Sequence, residues 1–314
     1  MTGLKVAVVG VGYLGRFHAQ KFAASEQADL IAVCDLDEAA GKAVAIETDC
    51  EFTADLQSLT GRVDAVSIAA STTAHFELCR LFLDSGLHVL VEKPMTQTSA
   101  QAAELNALAE ARSCILQVGH IERFNPALLA AREGLDRPRF IECHRLAPFR
   151  GRGADVDVVL DLMIHDLDVM LSLIDAQPIS VSAVGISVVT DRVDVANARI
   201  EFDNGAIANL TASRASTRSE RKFRVWQDQH YVAIDFGRGT INKVRSVDDW
   251  DGDGTPLEET AFSLDKGDAL RAEIEAFLAA ASGDADCIVT GADGLAALEL
   301  AERITADIEQ RRRR

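Results

Sequence analysis

The chain has 314 residues, 48% of them hydrophobic, which suffices for a sizeable core and suggests two domains. A formal net charge of −17 makes nucleic acid and anionic membrane surfaces poor partners. Six cysteines, at 34, 50, 79, 114, 143 and 287, include no CxxC pair, so neither a zinc site nor a redox motif is signalled. Several sit in apolar runs and read as small buried hydrophobes in a reducing, cytoplasmic compartment.

The N-terminus enters a strand pattern, LKVAVVG, almost at once, which is not the opening of a signal peptide. No apolar run reaches the roughly 18 residues that would span a bilayer. Over residues 1–120 the runs LKVAVVG, DLIAVCD, DAVSIAA, HVLVEKP and CILQVGH alternate with amphipathic stretches such as HFELCRLFLDSG and SAQAAELNALAEAR. The strand runs lack polar alternation, as expected of strands buried on both faces. An α/β domain with a doubly wound parallel sheet of the Rossmann type is therefore predicted there.

GVGYLG, residues 10–15, closes the first strand and opens a helix. In that context Gly10 permits the turn, Gly12 lets the backbone approach a pyrophosphate, and Gly15 allows close helix–strand packing. Tyr13 and Leu14 belong to the same loop. Asp35 ends the second strand, placed to accept hydrogen bonds from a ribose diol. With Leu36 after it rather than arginine, NAD is expected over NADP. Ala70, Ser71 and Thr72 form a small polar turn that can border the cofactor. His75, just beyond, reads as a helix-cap or packing histidine rather than a catalytic one. EKP, residues 92–94, puts Glu92 and Lys93 at the carboxyl edge of the sheet, with Pro94 a candidate cis proline. Lys93 is either a surface lysine or a partly desolvated ammonium that stabilises a developing alkoxide.

After about residue 138 polar and apolar residues alternate, in RFIECHRLAP, ISVSAVGISVV, DVANARIEF, GAIANLTASRAS, KFRVWQD and HYVAIDFGRGTINKV. This predicts a C-terminal α+β domain, residues 121–314, built on a large, open, mainly antiparallel sheet, with a hairpin turn at DNG, 203–205. Its free face is expected to present alternate apolar residues and to pair with another subunit, giving a homodimer or homotetramer. Helices are expected over 158–175, about 266–281 and about 291–311. The closing IEQRRRR is a basic end suited to a helix C-terminus. DWDGDGTPLEET, 249–260, begins like a calcium loop but has Thr260 where glutamate is required; it reads as an exposed acidic loop, and no metal site is expected.

The helix VVLDLMIHDLDVM, 158–170, carries Asp161, His165 and Asp168 at i, i+4 and i+7, on one stripe of an otherwise apolar helix. Such a stripe is either a satisfied polar seam or a face turned to a cleft where proton chemistry occurs. Asp168 either anchors His165 or forms a salt bridge, and Asp166 falls off the stripe, toward water or a loop. Residues 120–152 hold arginines at 123, 132, 137, 139, 145, 150 and 152 against four acids, +3 locally; they are either surface arginines or a clamp for an anionic substrate.

Taken together, GVGYLG, Asp35, EKP and DLMIHDLD resemble the glucose–fructose oxidoreductase/inositol dehydrogenase family, Gfo/Idh/MocA, over essentially the whole chain. The resemblance implies an NAD-dependent oxidoreductase acting on a CH–OH group. Lys93, Asp161 and His165 would be its catalytic residues, with the lysine and the histidine facing the nicotinamide. GHIERFNP, 119–126, and FRGRGADVDVVLDLMIHDLD, 149–168, resemble the branch that oxidises the 3-hydroxyl of UDP-N-acetylglucosamine, whose ketone an aminotransferase converts to a 3-amino sugar for lipid A. This implies a nucleotide-sugar substrate near Glu122, Arg123, Asn125, Arg150, Arg152, Asp161 and His165. A uronic-acid nucleotide sugar, a free sugar and myo-inositol are the alternatives.

Overall fold

The computed structural model describes residues 3–149, 156–247, 250, 252–265 and 267–313. They form two compact units. The first contains a six-stranded sheet, all parallel: β1 (Leu4–Val9), β2 (Ala28–Cys34), β3 (Glu51–Thr53), β4 (Ala65–Ile68), β5 (His88–Glu92) and β6 (Leu116–Gly119), in the order β3-β2-β1-β4-β5-β6. Between them run α1 (Tyr13–Ala23), α2 (Glu38–Thr48), α3 (Thr72–Asp84) and α4 (Ser99–Arg112). The strands are apolar throughout because helices cover both faces. The chain reverses direction across the sheet between β1 and β4, where α/β folds of this kind bind ligands beyond the carboxyl ends of their strands.

The second unit is built on an eight-stranded sheet: β7 (Phe140–Leu146), β8 (Pro178–Ile186), β9 (Val195–Phe202), β10 (Ile207–Ser213), β11 (Glu220–Gln227), β12 (His230–Asp235), β13 (Thr240–Ser246) and β14 (Leu257–Ser263). The order is β14-β13-β12-β11-β7-β10-β9-β8, and every pair is antiparallel except β7 with β10. The expected hairpin at Asp203–Gly205 joins β9 to β10. α5 (Pro126–Arg132), α6 (Ile164–Leu171) and the later turns of α8 (Gly291–Arg312) supply helix side chains to this unit's core. Among the described residues no helix is long and apolar enough to cross a membrane.

Four sequence expectations change. The division at residue 120 is too simple: the first unit takes residues 1–121 and 268–295, the second 122–267 and 296–314. The cause is α7 (Ala269–Ala281), whose Ile274, Phe277 and Leu278 are buried in the core that holds Val6, Phe22, Val33 and Leu90. The acidic segment near 250–260 is not all loop. Residues 249 and 251 lie outside the described residues, but Leu257–Ser263 is the edge strand β14, so exposed along its length that no apolar alternation marks it. The short strand β3 was likewise unmarked. Finally, the open face of the large sheet is mixed rather than regularly apolar, with Val184 and Ile186 of β8 exposed among polar residues. Glu142, His144, Asn197, Arg199, Asn209 and Thr211 face that side, because the apolar alternates lie beneath the helices. It also carries the stack of Phe140, Trp226 and Tyr231, with ring centroids 5.1 and 4.8 Å apart.

Two glycines of the first loop predict opposite behaviour. A Cβ on Gly15 would lie 1.8 Å from the Gly10 carbonyl oxygen, a backbone atom that cannot move aside, whereas one on Gly12 would meet nothing within 4 Å. Gly15→Ala should lower stability by at least the roughly 1–3 kcal/mol typical of overpacking. Gly12→Ala should leave the thermal midpoint unchanged. Equal midpoints for both variants in a melting experiment would contradict this packing.

Candidate active site

The loop after β1 has the form that a pyrophosphate requires. Gly10 has φ +81°, and a Cβ there would sit 2.7 Å from the Ala70 nitrogen, so only glycine lets the end of β1 lie against the end of β4. Gly12 begins α1 with open space over its Cα, as close backbone approach demands. Tyr13 and Leu14 follow in the first turn, partly exposed. Asp35 is fixed by the backbone: Val11 N–H donates to its Oδ2 at 2.6 Å and Asp37 N–H to its Oδ1 at 2.8 Å. Leu36 beside it is fully exposed and offers no cation to a 2′-phosphate. Ala70, Ser71 and Thr72 occupy the next turn, with Ser71 at the N-cap position, without a side-chain capping bond, and Thr72 opening α3. Gly10, Gly12, Gly15 and Asp35 fit a dinucleotide such as NAD by this geometry, on the carboxyl edge of the sheet.

Lys93 follows β5, and the Lys93–Pro94 peptide is cis. Two groups fix this turn. His75 lies with Nδ1 2.9 Å from the Pro94 carbonyl oxygen and Nε2 3.1 Å from that of Ala70. It is thus a packing histidine, tying the EKP turn to the end of β4. Burial lowers its pKa below the usual value, against the hydrogen bonds and the nearby Glu92. Glu92 is the second group. Its Oε2 accepts the Lys93 N–H at 3.2 Å, and its Oε1 lies 3.1 Å from His18 Nε2, whose Nδ1 is 2.8 Å from Ser67 Oγ. Burial pushes the Glu92 carboxyl up, but His18 and then Lys93 bring it below the usual range, so it is an anion beside the lysine.

The sequence reading missed His18 and Glu273, whose polar atoms share one cluster with Glu92, within 4.8 Å of one another. A signal existed. Gly15, His18, Ala19 and Phe22 are the buried stripe of α1, and Glu273 falls on that of α7 with Ile274 and Phe277. A polar residue on an apolar stripe needs a partner.

In the second unit the helix carrying His165 is not uniform. Val159–Met163 is a π turn, in which Ile164 N–H donates to the Val159 carbonyl, and α6 continues from it. Asp161 lies in the π turn and His165 in α6; both are half-buried. Asp168 is fully buried and accepts from Arg123 Nη1 at 3.3 Å, a salt bridge as one of its expected roles requires. The start of the helix is also held. Asp157 Oδ1 accepts the Val193 N–H at 3.0 Å. Arg214 donates to the Val156 carbonyl at 2.7 Å and to buried Asp194 at 2.8 Å.

Asp166 corrects the expectation that it meets water. It is buried, and Arg145 on β7 grips it with both ends of its fork, Nε to Oδ2 at 2.9 Å and Nη2 to Oδ1 at 2.8 Å. Arg145 Nη1 donates to Glu122 Oε1 at 3.0 Å, and Glu122 Oε2 accepts from Asn125 Nδ2 at 3.0 Å. Glu122, Arg123 and Asn125, expected near a substrate, have internal partners, Asn125 also capping α5 through the Ala127 N–H. The arginine-rich stretch is therefore not one clamp: Arg123 and Arg145 are buried ion-pair partners, Arg132 donates to Ser172 and Arg139 to the Asn204 carbonyl. Arg150 and Arg152 lie outside the described residues.

Two family models match the chain: one described as oxidoreductase family, NAD-binding Rossmann fold, over residues 4–120, and one described as GFO/IDH/MocA C-terminal domain, over residues 135–233. A UDP-N-acetylglucosamine 3-dehydrogenase from Acidithiobacillus ferrooxidans is 40% identical over 98% of each chain. The solved structure of that organism's enzyme superposes with a TM-score of 0.92 over 99% of each chain, at 38% identity. An inositol 2-dehydrogenase from Rhizobium meliloti is 27% identical over 98% of each. A scyllo-inositol dehydrogenase from Lactobacillus casei, solved with NAD(H) and scyllo-inositol, shares the fold at TM-score 0.82 and 19% identity, over 98% of each chain.

The burial of His75 predicts a pH dependence of stability. Its pKa is lowered on folding, so below about 6.5 the unfolded chain binds a proton that the folded chain does not. Stability should fall as pH drops through that region, by up to about 1.4 kcal/mol per pH unit from this group. Urea titrations between pH 5.5 and 7.5 should show a shallower slope for His75→Gln. Identical slopes for parent and variant would contradict the assignment.

Proposed function

The chain belongs to the Gfo/Idh/MocA oxidoreductase family, and on that footing we propose that it oxidises the 3-hydroxyl of UDP-N-acetylglucosamine to the 3-keto sugar, using NAD. The observation that carries the substrate is the 40% identity, over 98% of both chains, with a UDP-N-acetylglucosamine 3-dehydrogenase. Inositol dehydrogenases of the same family stand at 27% over a comparable span, which leaves a cyclitol or another sugar as the second reading.

Oxidation of a secondary alcohol needs acceptors for a hydride and for a proton. Bound NAD supplies the hydride acceptor. Lys93 holds the hydroxyl oxygen and stabilises its negative charge as the proton leaves. Ionised Glu92 beside it favours the ammonium that this role requires. His165 accepts the proton, the work an imidazole does best near neutral pH. Asp161, in the π turn, orients the base or contacts the sugar; π turns recur at functional sites. Asp35 takes the ribose diol of NAD, and Arg150 and Arg152, which the family resemblance puts near the substrate, take the diphosphate. The product ketone suits an aminotransferase as the next enzyme, toward a 3-amino sugar of lipid A. Six unpaired cysteines fit a cytoplasmic protein, and the aromatic stack on the open sheet face suits a homodimer or homotetramer.

Two measurements test this reading. NADH formation should follow addition of UDP-N-acetylglucosamine with NAD, provided an aminotransferase and glutamate remove the ketone. Its uronic acid, glucose and myo-inositol should respond weakly; a response to myo-inositol alone would refute the nucleotide sugar. Lys93→Ala and His165→Ala should each lower turnover by about 10²–10⁴ with NAD binding kept. Near-normal turnover in either would remove that residue from the chemistry.

A further inference from the structure

The proposed chemistry leaves unused the buried charges around Arg145. We propose that Arg145 is a positioning residue that fixes the rotation of the helix bearing His165, with Asp166 and Glu122 as its built-in counter-charges. The inference rests on the role of His165 proposed above.

Arg145 is not placed to meet a ligand. It is 4% exposed, and three of its five N–H donors are engaged by Asp166 and Glu122. Burial lowers its pKa, but the two carboxylates hold it above the ordinary value, so it is a permanent guanidinium. It projects from β7, a central strand hydrogen-bonded on both sides, to β10 and β11. A planar fork on a carboxylate fixes orientation as well as distance. Asp166 is the residue next to His165, so the fork acts one residue from the proposed base. On the other side Arg123 holds Asp168, and both Arg123 and Glu122 come from the short turn Ile121–Phe124.

The helix needs such a fixture for two reasons. It begins as a π turn, and losing the extra residue to a regular α turn would rotate everything after it by about 100° relative to what precedes it. Its core contacts at Val159, Met163, Leu167 and Met170 are also apolar, and such contacts are not directional. A buried ion pair is weak evidence for stability, and its best-attested use is to select one register. The motif IERFN, 121–125, thereby acquires a function other than substrate contact: it supplies the charges that close the set.

The test compares Arg145→Lys, which keeps the charge but loses the fork, with a combined Arg145→Met, Asp166→Leu, Glu122→Gln variant, which removes the three buried charges together and leaves only the exposed Arg221, 3.7 Å from Glu122, without a partner there. Each is assayed with UDP-N-acetylglucosamine and NAD beside His165→Ala, with thermal midpoint and NAD affinity measured in parallel. The combined variant should melt near the parent and bind NAD as the parent does. Its kcat should fall by about 10²-fold, as for a base misplaced by roughly 1 Å, with KM little changed. Arg145→Lys should fall between the two. Parental kcat in the folded combined variant overturns the proposal. If that variant does not fold, parental kcat in Arg145→Lys does so instead. Normal turnover in His165→Ala would overturn the base assignment and this inference with it. A dead His165→Ala beside fully active Arg145 variants would overturn the inference alone.

Discussion

Removing a charge from water is costly unless a partner of opposite sign comes with it, and that constraint shapes both units. In the first, the Glu92 anion is largely buried at the end of β5. It is tolerable because His18 approaches its Oε1 and the Lys93 backbone donates to its Oε2. In the second, Asp166, Asp168 and Glu122 are buried along the helix of His165 and beside it, and Arg145 and Arg123 answer them. Lys93 and His165 are each the chain neighbour of a largely or fully buried carboxylate. The carboxylate cannot shift without losing its partner, so the residue beside it inherits a fixed position.

The supporting parts follow from the same economy of contact. His75 ties the EKP turn to β4, and glycines at 10 and 15 let β1, α1 and β4 meet at distances that side chains would prevent. Asp194 collects the N–H groups of Val188, Val189 and Thr190 together with Arg214, and Arg214 in turn holds Val156 at the head of the helix. Burial pushes the Asp194 carboxyl up, but these donors hold it well below the usual range. Such groups touch no substrate in the proposed chemistry. They limit the movements left to those that do.

Much of this was legible in the residues. The glycine loop, Asp35, the cis proline of EKP and the parallel strand runs all stand where periodicity and turn chemistry put them, since each is a local property of a few consecutive residues. The illegible parts were exposed or relational. The edge strand β14 is solvated along its length and so carries no apolar pattern. The π turn differs from an α-helix by one residue, and that change leaves the apolar spacing of VVLDLMIHDLDVM intact. Glu122 and Arg123, read as substrate contacts, are partners of residues more than twenty positions away.

By itself the sequence determined the type of each unit, the carboxyl-edge loops for a dinucleotide, and which titratable side chains were worth watching, because these depend on local period and on glycine, proline and charge in short range. Only the tertiary structure decided what the buried charges are for. It turned Arg145 from one arginine of a basic run into the partner of Asp166, and it returned α7 with Glu273 to the first unit. A charge pair is defined by proximity across the fold, and its members, at 122, 145 and 166, share no spacing that a linear pattern could reveal.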